Sequence, residues 1–76
     1  MPIIFRGKGF YIEVRKENNH ELPHFHAISP DGDISISLDG SILAGKFKDK
    51  QKQKEAVRWV VERAEILEAV WREANV

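Results

Sequence analysis

A change of hydrophobic period between Phe47 and Lys50 decides what this chain can fold into. From Lys50 onward, Val57, Val60, Val61, Ala64, Leu67, Trp71 and Ala74 recur at steps of three and four, the spacing that lines one face of a helix. No glycine or proline interrupts that stretch, so one helix is expected over about 50–75. At 1.5 Å per residue it would run ~37 Å, longer than a small domain is wide. Before it the period is two: Phe10, Ile12 and Val14 alternate with Tyr11, Glu13 and Arg15, as in a half-buried strand. A strand-rich half followed by a helical half predicts an α+β fold. The expected form is a small antiparallel sheet of four or five strands, two β-hairpins plus a short edge strand, covered on one face by the long C-terminal helix.

Turn residues set the expected registers. Gly7-Lys8 suits a two-residue type II′ turn, which pairs Phe5 with Phe10 and Ile3 with Ile12. Lys16 to His20 is a polar connection without period, and Pro23 opens the next strand. Asp31-Gly32 predicts a second tight hairpin, pairing Phe25 with Leu38, Ala27 with Ile36 and Ser29 with Ile34. On the reverse face that register sets His24 opposite Asp39, His26 opposite Ser37 and Ile28 opposite Ser35. A slip of one residue would turn the histidines onto Ile36 and Leu38 and destroy both faces. Asp39-Gly40 supplies a further turn, Ser41 to Phe47 an edge strand through Ile42 and Leu43, and Asp49 an N-cap for the helix. The expected core is Ile3, Phe5, Phe10, Ile12, Val14, Phe25, Ala27, Ile34, Ile36 and Leu38 against Val57, Val60, Val61, Ala64, Leu67 and Trp71.

At 76 residues a single domain spanning 1–76 is expected, with the sheet over 1–47 and the helix over about 50–75. With no cysteine, neither a disulfide framework nor a thiolate zinc site is open to the chain. The apolar opening, Met1 to Phe5, is too short for a signal peptide, and no run is long enough to span a membrane. A cytoplasmic setting is therefore expected. Twelve basic residues balance twelve acidic ones, so net charge by itself points to no partner.

The chemistry concentrates at His20-Glu21-Leu22-Pro23-His24-Phe25-His26, which holds all three histidines of the chain. In a strand, residues two apart point the same way, so His24 and His26 share a face with Cα atoms ~6.5–7 Å apart while Phe25 anchors the core side. Three readings follow. As metal ligands, His24 and His26 with His20 or Asp39 make a set of three with an open position, suited to zinc or another divalent ion. Without any cofactor, two imidazoles serve as general base and general acid. RNA cleavage through the 2′-hydroxyl needs that pair and a cation, for which Arg6, Arg15 and the Lys46 to Lys54 run are available. In a purely structural role, the same histidines bond Asp39 and Ser37 across the strands. Alanine at His24 is expected to abolish any activity while leaving the melting temperature nearly unchanged.

Two further features carry paired readings. Lys46, Lys48, Lys50, Lys52 and Lys54 occupy every second position; Lys46, Lys48 and Lys50 could dock a nucleic-acid backbone, or the run could guard a sheet edge against aggregation. A second helical stripe, Trp59, Ile66 and Val70, either forms a homodimer face on the C-terminal helix or closes the edges of the internal core.

From Asn19-His20 through Pro23-His24-Phe25-His26, Asp31-Gly32 and Leu38-Asp39 to the C-terminal helix, the sequence resembles a family of small bacterial proteins known as domain of unknown function 4160. The resemblance covers essentially the whole chain, and the Pro-His-x-His strand is its most specific part. It departs from the family pattern in the shortened approach Glu21-Leu22-Pro23 and in Phe25, where valine is common. The resemblance implies a two-gene module of the toxin–antitoxin kind, in which a small neighbour-encoded protein is the partner and RNA the target. The resemblance brings no established activity with it; the residues expected to carry a ribonuclease-like activity, His24 and His26 with His20 and Arg15 assisting, follow from the histidine pattern itself.

Overall fold

The computed structural model describes residues 3–15 and 22–75. Its elements are β1 (Ile3–Arg6), β2 (Tyr11–Glu13), β3 (His24–Ser29), β4 (Gly32–Ser37), β5 (Ile42–Gly45), α1 (Lys50–Glu62) and α2 (Ala64–Ala74). The strands form one antiparallel sheet in chain order, β1-β2-β3-β4-β5. The α+β fold expected from the change of period is the fold found.

Both hairpins are registered differently from the expected turns. Phe5 pairs with Ile12 and Arg6 with Tyr11, so β1 and β2 are joined by a wider loop than Gly7-Lys8. Its cause is Phe10, which leaves the strand and lays its ring against Gly7, where an added Cβ would meet the ring at 2.5 Å. The Gly7 N–H donates to the Phe10 carbonyl at 2.8 Å, and Gly9, at φ +81°, supplies the left-handed residue that lets the loop close. An irregularity between Ile3 and Phe5 leaves Ile3 40% exposed, outside the expected core.

In the second hairpin Phe25 pairs with Ile36, Ala27 with Ile34 and Ser29 with Gly32, so the turn is Pro30-Asp31. A type I′ turn at Asp31-Gly32 would require positive φ at Asp31, and no described residue other than glycine has one. Serine first, proline second and glycine fourth is instead the composition of a type I turn. The Ser29 hydroxyl accepts from the Asp31 N–H at 3.1 Å and donates to the Gly32 carbonyl at 3.3 Å. Because pairing moves by two positions, every side chain keeps its face; only its partner changes.

The core is built from Ile12, Phe25, Ala27, Ile34 and Ile36 on the sheet against Ala56, Val60 and Leu67 on the helices. Phe47, between β5 and α1, is 2% exposed and was no part of the expected core. Its N–H donates to Gln53 Oε1 at 2.8 Å, which folds the connection onto α1. Val61, expected inside, is 43% exposed.

Asp49 caps α1 as expected, accepting from the N–H groups of Gln51 and Lys52 at 3.0 and 3.2 Å. The single long helix does not form. Arg63, at φ −121° and ψ 24°, separates segments of 13 and 11 residues. Its N–H bonds the Val60 carbonyl at 3.1 Å. Its guanidinium caps the Trp59 carbonyl at 3.3 Å and lies 4.7 Å from the Trp59 ring. A straight ~37 Å rod would overhang a fold whose longest extent is 33 Å; the break keeps both segments on the sheet. The second stripe divides accordingly. Trp59 stacks on Phe5 at 4.5 Å and Val70 packs on the core, whereas Ile66 is 68% exposed.

The end of α2 approaches the sheet beside His24. The Asn75 side chain donates to the Arg15 carbonyl at 3.3 Å, and the Trp71 ring lies 6.5 Å from that of His24.

Candidate functional site

On β3, Phe25 and Ala27 are fully buried in the core while His24 and His26 occupy the opposite face. Their rings stand edge to face with centroids 5.1 Å apart at 71°, which brings the two together as the alternation predicted. Across the sheet, His26 is flanked by Glu13 on β2 and Ser35 on β4, and the Ser35 hydroxyl is hydrogen-bonded to His26 Nδ1 at 3.3 Å. His24 pairs with Ser37, not with Asp39.

The two rings are held differently. His24 is only 8% exposed, and its Nδ1 lies 2.8 Å from the Leu22 carbonyl. A carbonyl can only accept, so Nδ1 carries the proton and Nε2 is the basic nitrogen of the neutral ring. His26 is half-buried and so is the more accessible of the pair. The burial of His24 corrects the expectation that its removal is silent for stability.

Glu13 is 6% exposed, and its carboxylate is ion-paired with the Arg15 guanidinium. A buried carboxylate is tolerated when paired in this way. Arg15, one-third exposed at its side chain, thus joins the histidine face through Glu13. Sequence reasoning placed Glu13 on this face by alternation but missed its burial; no pattern along the chain signals what lies over a sheet face.

Asp39 lies in the turn after β4. Its carboxylate accepts from the Ser37 hydroxyl and, at 2.9 Å, from the Ser41 N–H. These hydrogen bonds hold its pKa well below the usual carboxylate range, at about 2. Asp39 therefore reaches the site only through Ser37, the cross-strand neighbour of His24. A cavity of about 190 Å³ lies there, lined by Leu22, Pro23, Ser37, Leu38 and Asp39. Among the described residues no three His, Cys, Asp or Glu side chains are placed to hold a metal ion, so His24, His26 and Asp39 do not form a ligand set. His20, the other expected ligand and assisting group, lies outside the described residues.

Lys46, Lys48 and Lys50 are exposed but belong elsewhere. A Cβ on Gly32 would meet the Lys46 carbonyl at 2.8 Å, which places this segment at the turn end of the β3–β4 hairpin. His24 stands at the other end, roughly 17 Å away along the strand. Nor do the lysines alternate along an edge strand, since β5 ends at Gly45 and α1 begins at Lys50.

Fold and site together define a class: a small α+β domain whose meander sheet carries a His-x-His strand with its rings on the face opposite Phe25 and Ala27. Within that class the chain belongs to the family described as Domain of unknown function (DUF4160), whose model matches residues 9–72. The match runs from the loop before β2 into α2 and includes both histidines of the site. Comparison with curated proteins and with solved structures found no match. Among the described residues, no helix is long and apolar enough to cross a membrane.

Proposed function

We propose that this protein is the toxin-like component of a two-gene bacterial module, acting on RNA in the cytoplasm through acid–base chemistry at His24 and His26. The observation that carries the reading is the pair of imidazoles 5.1 Å apart, beside an arginine already held by a buried carboxylate. In the proposed reaction His26, the accessible ring, removes the proton from a ribose 2′-oxygen as that oxygen attacks the adjacent phosphorus. The bond to the 5′-oxygen breaks, and His24, which enters this step as the imidazolium with Nδ1 still donating to the Leu22 carbonyl, supplies its Nε2 proton to the leaving oxygen. Arg15 balances charge gathering on the phosphate. The products are a 2′,3′-cyclic phosphate and a free 5′-hydroxyl.

The test is cleavage of a short RNA and of its 2′-deoxy counterpart. The RNA should be cut to a cyclic phosphate, the deoxy strand should survive, and His26→Ala should slow cleavage by about 10²–10⁴-fold. Unimpaired cleavage by His26→Ala, or equal cleavage of the deoxy strand, would refute the mechanism.

Two other readings each have an observation in their favour. Ile42, Leu43, Val61 and Ile66 are 38%, 46%, 43% and 68% exposed, along the open edge at β5, flanked by Lys46, and at the helix break. That surface suits a neighbour-encoded protein, with Val61 and Ile66 as the part of the C-terminal helix left for a homodimer. Loss of a co-purified partner in Leu43→Lys, with RNA cleavage absent in wild type, would favour it. The donation from His24 Nδ1 to a backbone carbonyl is also the arrangement that orients metal-ligating histidines. Zinc or another divalent ion at His24 and His26, completed by His20, predicts that chelator lowers the melting temperature.

A further inference from the structure

A cavity of about 500 Å³ opens on the histidine face at the loop end of β1 and β2 and is lined by Arg6, Gly7, Gly9, Phe10, Tyr11, Ile28, Ser29 and Pro30. We propose that it binds one nucleotide unit, with the phosphate at Arg6 and the base over Tyr11 and Ile28. The site adjoins the histidines, and its extension to an RNA strand rests on the acid–base reading above.

Its volume falls within the roughly 300–1,000 Å³ that small-ligand sites occupy. Tyr11, Ile28 and Pro30 make its lining mainly apolar, which suits the face of a heterocycle better than a hydrated ion. Arg6 is the cation in the lining, and two lysines belong to the neighbourhood of the same loop. The Arg6 guanidinium lies 6.0 Å from the Tyr11 ring centroid, Lys8 is exposed in the loop, and Lys52 reaches the side of Gly9 while pairing with Asp31 at 3.3 Å.

The sheet gives this site a direction. Arg6 pairs with Tyr11, Tyr11 with Ile28 and Ile28 with Asp33, so a single cross-strand row runs from a cation through an aromatic and an aliphatic side chain to an exposed anion. Three strand spacings separate its ends, roughly 14 Å. A ligand lying along the row needs an anion at the Arg6 end and hydrogen-bond donors toward Asp33. A nucleotide whose base carries an exocyclic amine has that polarity. The parallel row Glu13, His26 and Ser35 is two residues along each strand, ~6.5–7 Å away. The diagonal from Arg6 to His26 spans two strand spacings and two residues, roughly 12 Å, so an extended strand with one phosphate at Arg6 would bring the phosphate two steps further along beside His26.

The experiment is a ¹H–¹⁵N NMR titration with adenosine monophosphate, adenosine and a short RNA, on wild type, Tyr11→Leu and Arg6→Gln. Adenosine monophosphate should shift the amides of Arg6 to Tyr11 and of Ile28 and Ser29. Tyr11→Leu should weaken it at least about fivefold. Arg6→Gln should remove the preference for the monophosphate over adenosine. The same shifts with the short RNA assign the cavity to a strand, and shifts with the mononucleotide alone assign it to a free nucleotide. Absence of shifts at millimolar ligand, shifts confined to residues 46–54, or wild-type binding by Tyr11→Leu would overturn the proposal. RNA cleavage separates the two readings: a cavity that binds nothing while His26-dependent cleavage persists removes only this site. Binding without any cleavage removes only the acid–base reading.

Discussion

His24→Ala is the substitution most able to separate a catalytic role from a structural one, and the structure says it will do both kinds of damage. The imidazole is 8% exposed, lies between His26 and Trp71, and donates to the Leu22 carbonyl. Loss of that hydrogen bond costs about 0.5–1.5 kcal/mol. The lower half of the range applies, because Leu22 is 69% exposed and water can reach its backbone. Removing the packed ring adds about 1–1.5 kcal/mol of lost contact and incomplete collapse. The sum, about 2 kcal/mol, corresponds to a fall in melting temperature of roughly 8–16 °C for a domain of this size. A chain of 76 residues has about 4–11 kcal/mol in total, so the variant remains folded at low temperature. His26→Ala removes a half-exposed ring and one 3.3 Å hydrogen bond, and should cost no more than about 1 kcal/mol. Urea denaturation of both variants beside wild type, with slopes compared, makes the measurement. A His24→Ala variant within about 0.5 kcal/mol of wild type, or one more stable than His26→Ala, would refute this account of how the ring is held. Activity should therefore be compared well below the lowered melting temperature.

Three other outcomes follow from particular contacts. Phe47→Ala should destabilise by about 3–4 kcal/mol, whereas Leu43→Ala on exposed β5 should cost under about 1 kcal/mol by the same urea assay. Gly45→Ala should cost more than about 2 kcal/mol, since Gly45 has φ +80° and an added Cβ would sit 2.0 Å from the Asp33 carbonyl oxygen; thermal melting checks it. Asp39 ionises with a folded pKa of about 2, below its unfolded value of about 4, so its hydrogen bonds contribute stability above that value and the contribution is lost as pH falls toward about 2. Asp39→Asn should flatten that part of the acid limb in a pH series of thermal melts; an unchanged limb would show that the Ser37 and Ser41 bonds do not persist in solution.

The sequence made the α+β architecture, the capping of α1 by Asp49 and the shared face of His24 and His26 legible, because each depends on a local period or a local hydrogen bond. Three features were not legible, each for a physical reason. The break at Arg63 has no glycine or proline to mark it; the contacts of Arg63 with the Val60 and Trp59 carbonyls and the Trp59 ring exist only in the folded chain. Phe47 lies in a connection between two periods and belongs to neither, so only the folded chain reveals that its ring completes the core. The third is the register. Moving the β3–β4 pairing by two residues left Phe25, Ala27, Ile34 and Ile36 in the core, yet it replaced Asp39 by Ser37 opposite His24. A hydrophobic core asks only which face a residue occupies, and an error of two leaves that answer unchanged. A chemical site asks which side chain stands opposite, and the same error exchanges a carboxylate for a hydroxyl. The metal reading through Asp39 depended on that exchange, whereas pairing His24 with His26 along a single strand did not. The along-strand pair is therefore the part of the site that register cannot disturb, and it carries the acid–base proposal.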